Sequence, residues 1–66
     1  MQEKRLIGLH EVSIKTGLRR SAIYERMKRK DFPLAVKLGA SSRWVLSEVE
    51  AWIDVQIALR DQQHAA

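Results

Sequence analysis

Six basic side chains crowd into one short segment of this chain. Arg19, Arg20, Arg26, Lys28, Arg29 and Lys30 lie between Leu18 and Lys30, opposed there only by Glu25, for a local charge of +5. The rest of the 66-residue chain has six basic and seven acidic residues, or −1, and Ser47 to Ala66 alone carries −3. A guanidinium can pair with guanine O6 and N7 or bridge phosphates, and an ammonium acts as a point charge on phosphate. A concentrated positive segment on a slightly negative body is the footprint of a polyanion partner. The plainer reading is a solvated basic face that aids solubility.

Other chemistry is sparsely represented. There is no cysteine, so disulfides and thiolate metal sites are excluded, and a reducing compartment fits. His10 and His64 are far apart in sequence, so no metal site is expected. Glu48 and Glu50 fall in the first turn of a predicted helix, where the helix dipole favours negative charge, which accounts for them without a carboxylate site. No nucleophile–base pair, phosphate loop or cofactor fingerprint is present. The expectation is a protein that is not an enzyme and needs no cofactor.

Length sets the frame. A 7.6 kDa chain allows one domain, residues 1–66, with 1–4 and 63–66 expected to fray. A chain of this size buries only about 60% of its unfolded surface, so its core is thin. Met1 to Arg5 is polar and no uninterrupted apolar stretch exceeds three residues, so neither a secretory signal nor a membrane span is predicted. The expected location is the cytoplasm.

The elements that must position the basic segment follow from local pattern. Leu6, Ile7 and Leu9 read as a short apolar lead-in. His10 to Thr16 reads as a helix stopped by Gly17, because glycine accepts positive φ without steric cost. Arg19 to Lys30 reads as a second helix with Ile23 and Met27 inward and Tyr24 partly so. With Arg19 at the cap position, Leu18 and Ile23 have the spacing of a hydrophobic staple, although arginine is a poor cap. Asp31-Phe32-Pro33 ends this helix.

Val36-Lys37-Leu38 alternates as a half-buried strand would, Gly39 to Ser42 is a turn, and Arg43-Trp44-Val45 is the return strand. Such a hairpin is too small to stand alone and must pack on the helices. Ser47-Glu48-Val49-Glu50 has the capping-box spacing, and a helix follows to about Gln62. Val49, Trp52, Ile53, Gln56 and Ile57 share one face of it, and Leu59 widens the stripe. That breadth fits either self-association or ordinary core. Trp44 and Trp52 are expected in the core, each indole N–H seeking an acceptor or water.

Two short helices joined by a glycine turn, the second one basic, predict a helix-turn-helix pinned by Val12, Leu18 and Ile23. The fold class is therefore mainly α with a small β-hairpin: a winged helix-turn-helix with a C-terminal helix. A major groove admits one α-helix, and the preceding helix holds it in place. The outward residues of the second helix include Arg20, Ser21, Ala22, Glu25, Arg26 and Arg29. Arg20, Ser21 and Arg26 are the candidates for bases. Arg19, Tyr24, Lys28, Arg29 and Lys30 are the candidates for the backbone, with partial burial an equal expectation for Tyr24. Lys37, Ser41, Ser42 and Arg43 would make the hairpin a wing on the backbone or minor groove, or else they cap the core as an ordinary hairpin.

Several short pieces occur in a telling order: Arg5-Leu6-Ile7, Glu11-Val12, Thr16-Gly17-Leu18, Ser21-Ala22-Ile23-Tyr24, Phe32-Pro33, Lys37-Leu38-Gly39, and Ser42-Arg43-Trp44 followed by Ser47-Glu48-Val49-Glu50-Ala51-Trp52. From residue 5 to about 54 the chain resembles AlpA-type phage transcriptional regulators. These are compact winged-helix proteins related in shape to excisionases and to the DNA-binding part of MerR regulators. The resemblance implies a double-stranded DNA partner and a regulatory role on a prophage or integrative element. The chain departs from the family pattern in two places: Arg19 stands where serine is common, and Lys30-Asp31 stand in the loop before Phe32 where glycine is common.

The function these readings predict is sequence-specific DNA binding that regulates transcription. The alternatives are an excisionase-like factor that bends DNA for an integrase, and a small module or inhibitor that binds an acidic protein surface. One module this small contacts few base pairs, so several copies on DNA are expected, with an integrase or the transcription machinery as further partners.

Overall fold

The computed structural model describes residues 4–63. Strand β1 (Leu6–Ile7) leads into α1 (Leu9–Thr16) and α2 (Arg20–Lys28). Strands β2 (Val36–Leu38) and β3 (Ser41–Val45) form the hairpin, and α3 (Leu46–Gln63) follows directly. The sheet is antiparallel in the order β1-β3-β2, with Leu6 opposite Val45, Ile7 opposite Trp44, and Val36, Lys37 and Leu38 opposite Arg43, Ser42 and Ser41. This is a winged helix-turn-helix. The apolar lead-in thus becomes a third strand, except for Leu9, which opens α1. The fraying expected at residues 1–3 and 64–66 lies outside the described residues; Lys4 is exposed and Gln63 closes α3.

The glycine turn is tied down by side chains on both sides. Gly17 is left-handed (φ 73°) and its N–H donates to the Ser13 carbonyl at 2.8 Å. Thr16 Oγ1 donates to the Val12 carbonyl (2.8 Å) and accepts from the Leu18 N–H (3.2 Å), while Ser13 Oγ donates to the Leu18 carbonyl (2.6 Å). Ser13 is therefore a hydrogen-bonding strut as well as a small residue at the α1–α2 junction. Arg19 takes the cap position in extended conformation with no side-chain cap bond, and Ile23 N–H donates to its carbonyl at 3.0 Å.

The second helix stops at Lys28, two residues before the predicted end. The cause is a Schellman closure. Lys30 adopts φ 58°, its N–H donates to the Met27 carbonyl (3.0 Å), and the Asp31 N–H donates to the Arg26 carbonyl (2.8 Å). Pro33 stands beyond the stop and does not cause it. Lys30 occupies the left-handed position that glycine fills at least cost.

Ile7, Val12, Ile23, Phe32, Trp44 and Val49 form the buried core, with Trp44 fully enclosed at its centre. Each element except β2 packs a side chain into or against this cluster. The two indoles behave differently. Trp52 Nε1 donates to the Asp31 carbonyl at 2.8 Å, but Trp44 Nε1 is buried with no acceptor among the described residues.

Three further expectations change. The turn is only Gly39-Ala40, with Gly39 at φ 61° in the first central position as a type II′ turn requires, so Ser41 and Ser42 belong to β3. The strand predicted for Val36–Leu38 forms, but all three of its residues are exposed where half-burial was expected, because the hairpin reaches the core through β3. Helix α3 starts at Leu46, before Ser47, and the Leu46 N–H donates to the Arg5 carbonyl at 2.7 Å. The extended segment leading into β1 thus takes up an orphan donor of the first turn, and Ser47 does not mark the boundary.

The inward stripe of α3 is packed only as far as Gln56. Val49 is buried, Trp52, Ile53 and Gln56 are half-buried, and Val55, Ile57 and Leu59 are exposed. Beyond Ile53 the positions in line with Val49 are Gln56, Arg60 and Gln63, whose polar ends do not continue the apolar stripe. The helix spans about 27 Å for its 18 residues, and its C-terminal half runs clear of the core.

Candidate nucleic-acid interface

Helix α2 is anchored by one face and divides its remaining side chains by direction. Ile23 is fully buried and Met27 packs against the core beside it. Helical spacing of 3.6 residues per turn then points Ser21, Glu25 and Lys28 most directly away from the core, and all three are exposed.

On one flank, Tyr24 meets Trp44 of β3 edge to face, with centroids 6.2 Å apart, and is half-buried. The exposed Arg20 guanidinium lies 5.7 Å from the Tyr24 ring centroid. On the other flank, Arg26 Nη1 pairs with Asp31 Oδ2 at 2.8 Å, and its guanidinium lies 5.7 Å from the Trp52 ring centroid. Arg26 is half-buried, turned toward α3 and not outward with Ser21.

The ends of the helix add charge. Arg19 caps one end; Arg29 and Lys30 form the turn at the other, and all three are exposed. Arg19, Arg20, Lys28, Arg29 and Lys30 therefore remain presented to solvent together with Ser21, and Arg26 is the one basic residue of the segment held in an ion pair among the described residues.

The hairpin residues separate into two places. Lys37 Nζ donates to Ser42 Oγ at 2.9 Å across the strands, and Ser41 is exposed beside the turn. Arg43 is half-buried further down β3. Its Nη1 donates to the Ser42 carbonyl at 3.0 Å and would lie 3.8 Å from a Cβ placed on Gly8. Arg43 thus sits by the start of α1, and the hairpin tip of Gly39 and Ala40 carries no charge.

Two relevant residues were not among those singled out as sites by sequence. Glu25 is an exposed acid in the middle of the outward face of α2, where a carboxylate could accept from cytosine N4. Its spacing of four from Ser21 was the available signal. Asp31 acts across a helix end at a five-residue separation from Arg26, which no helical pairing rule would flag. Among the described residues no group of three or more His, Cys, Asp or Glu could hold a metal ion, and no helix is long and apolar enough to cross a membrane.

Comparison with known proteins gives two sequence matches. The family model of the prophage CP4-57 regulatory protein (AlpA) matches residues 5–57. The uncharacterized protein ORF88 of Enterobacteria phage P4 is 38% identical over 65 residues, which cover 97% of this chain and 74% of that protein. No solved structure matches.

Proposed function

The chain belongs to the family of the prophage regulatory protein AlpA, and from that premise we propose that it is a sequence-specific DNA-binding regulator of transcription on a prophage or integrative element. The observation that carries this reading is the exposed basic surface of α2. Arg20, Ser21 and Lys28, with Arg19 before them and Arg29 and Lys30 in the turn after them, are presented by a helix whose opposite face is locked into the core. A helix held this way can enter a major groove as a rigid body.

In this reading Arg20 and Ser21, in the N-terminal half of α2, reach base edges. Arg19, Lys28, Arg29 and Lys30 contact phosphates, with the Tyr24 hydroxyl at the edge of that set. Lys37, Ser41 and Ser42 of the hairpin lie over the adjacent backbone or minor groove, and Arg43 reaches a phosphate beside the start of α1. Several copies bind together, because one module covers few base pairs. The cytoplasm, where bacterial DNA lies, is the compartment this role implies.

The test is selection of bound sequences from a random duplex pool at about physiological ionic strength, where non-specific phosphate binding is weak. An enriched motif is the expected result. A pool that stays random after repeated rounds would overturn the proposal.

A further inference from the structure

Asp31 is gripped from two sides. Its carboxylate accepts from Arg26 Nη1 at 2.8 Å, and its backbone carbonyl accepts from Trp52 Nε1 at 2.8 Å. Arg26 in turn lies over the Trp52 ring at 5.7 Å, and Phe32, next in the chain, meets that ring edge to face with centroids 4.8 Å apart. Three segments meet here: the last turn of α2, the Schellman closure after it, and α3.

The location matters because of what else holds α2. The main packings between elements are α1 on α2, α1 and α3 on β3, and the strands on one another. The C-terminal end of α2 meets α3 through this group, beside the core cluster that Met27 and Val49 share. A Schellman closure commonly carries an apolar contact between the residues that Arg26 and Asp31 occupy. In this chain an ion pair takes its place, its guanidinium 5.7 Å from the centroid of an indole ring.

We infer that Arg26 is a positioning residue, not a reader of bases: with Asp31 and Trp52 it forms a clasp that sets the direction of α2 relative to α3. Discrimination between DNA sequences depends on Arg26 through the clasp. The inference rests on α2 being the helix presented to DNA. The side chains of Arg26 and Asp31 are 33% and 51% exposed, so the pair is partly solvated and each partner can be replaced without leaving a buried charge.

The clasp and a purely electrostatic effect predict different readouts for Asp31→Asn. If charge alone mattered, Asp31→Asn would remove a negative group near DNA and tighten binding to every duplex. If Arg26 positions α2, then Asp31→Asn and Arg26→Gln should lower discrimination alike. The loss should be on the order of threefold to fivefold, as expected for a partly exposed pair. The double variant should lose little more than either single one.

Two measurements test this on the full chain. The first follows the Trp52 indole N–H resonance without DNA, assigned with Trp52→Phe. Both single variants should move it, and the double variant should add no further shift. The second compares the duplex selected by the wild-type protein with a scrambled duplex of equal length across a salt series. Discrimination should fall together in both variants, with an unchanged salt slope for Arg26→Gln. An unmoved indole resonance overturns the clasp, as does a discrimination loss confined to Arg26→Gln. A salt slope lowered by about 0.9 in Arg26→Gln would mean a direct phosphate contact and overturn it too. If selection enriches no duplex, the DNA reading fails by itself, and the indole resonance still decides whether the clasp exists.

Discussion

Tyr24 of α2 and Trp44 of β3 meet edge to face, with ring centroids 6.2 Å apart and an interplanar angle of 69°. The contact joins the helix proposed for the major groove to the central strand of the sheet. Such a pair is worth about 0.5–1.5 kcal/mol beyond burial. It also places Tyr24 so that its ring is half-buried while Arg20 lies over it.

Tyr24 therefore separates packing from phosphate contact. Tyr24→Phe keeps the ring and should change unfolding free energy by less than about 0.5 kcal/mol in urea titrations. Tyr24→Ala should cost about 2–3 kcal/mol, because the edge contact with Trp44 and the burial of the ring are both lost. A weakened affinity of Tyr24→Phe for DNA would mark the hydroxyl as a backbone donor.

Lys30 sits in the left-handed region, where a side chain costs roughly 1–2 kcal/mol. Lys30→Gly removes that strain but makes the unfolded chain freer, so a net gain of about 0.5–1 kcal/mol is expected in thermal or urea unfolding. The same change removes a charge proposed to contact phosphate. The salt slope of DNA binding should fall by about 0.9 while sequence preference is kept. Loss of stability on this substitution would contradict the closure described for α2.

The outward face of α2 can be divided by comparing selected and random duplexes. Arg20→Ala should cost about 1–3 kcal/mol on the selected duplex and much less on random DNA. Lys28→Ala should weaken both alike and lower the salt slope by about 0.9. Glu25→Gln should tighten binding to random DNA while reducing discrimination, since a carboxylate facing DNA is favourable only where it meets a donor such as cytosine N4. Equal effects of all three substitutions on both duplexes would remove the distinction between base and backbone contacts.

Along α3 the two halves should respond differently to truncation. Val49 is fully buried, so Val49→Ala should destabilise by about 1–3 kcal/mol. Leu59 is 46% exposed, so Leu59→Ala should stay within about 0.5 kcal/mol in the monomer. A concentration-dependent melting temperature sensitive to Leu59→Ala would show that copies of the chain cover this half of α3.

Much of this architecture is legible from short-range pattern. Gly17 predicts the turn, Leu18 and Ile23 predict how α2 is seated, and the charge between Leu18 and Lys30 singles out the helix to examine. These are local effects of backbone sterics and 3.6-residue spacing, and they need no knowledge of the rest of the chain. The end of α2 was harder to read. The Schellman closure puts a lysine in a conformation that sequence rules reserve for glycine, and Pro33 offers a more obvious but irrelevant stop.

By itself the sequence determined the class of the molecule: a small cysteine-free domain, a basic helix behind a glycine turn, a hairpin, and the ordered residues that mark its family. Only the tertiary structure decided which charges are free. Arg26 and Arg20 are both arginines of the same helix, yet one flank of α2 faces Trp52 and Asp31 and the other faces Tyr24 and Trp44. Partners separated by five residues across a helix end, or by 26 along the chain from Arg26 to Trp52, meet only when the core seats the elements together. Likewise, the apolar stripe of α3 continues to Leu59 in sequence but is covered only as far as the core extends. Periodicity defines a face, and burial depends on what the fold places against it.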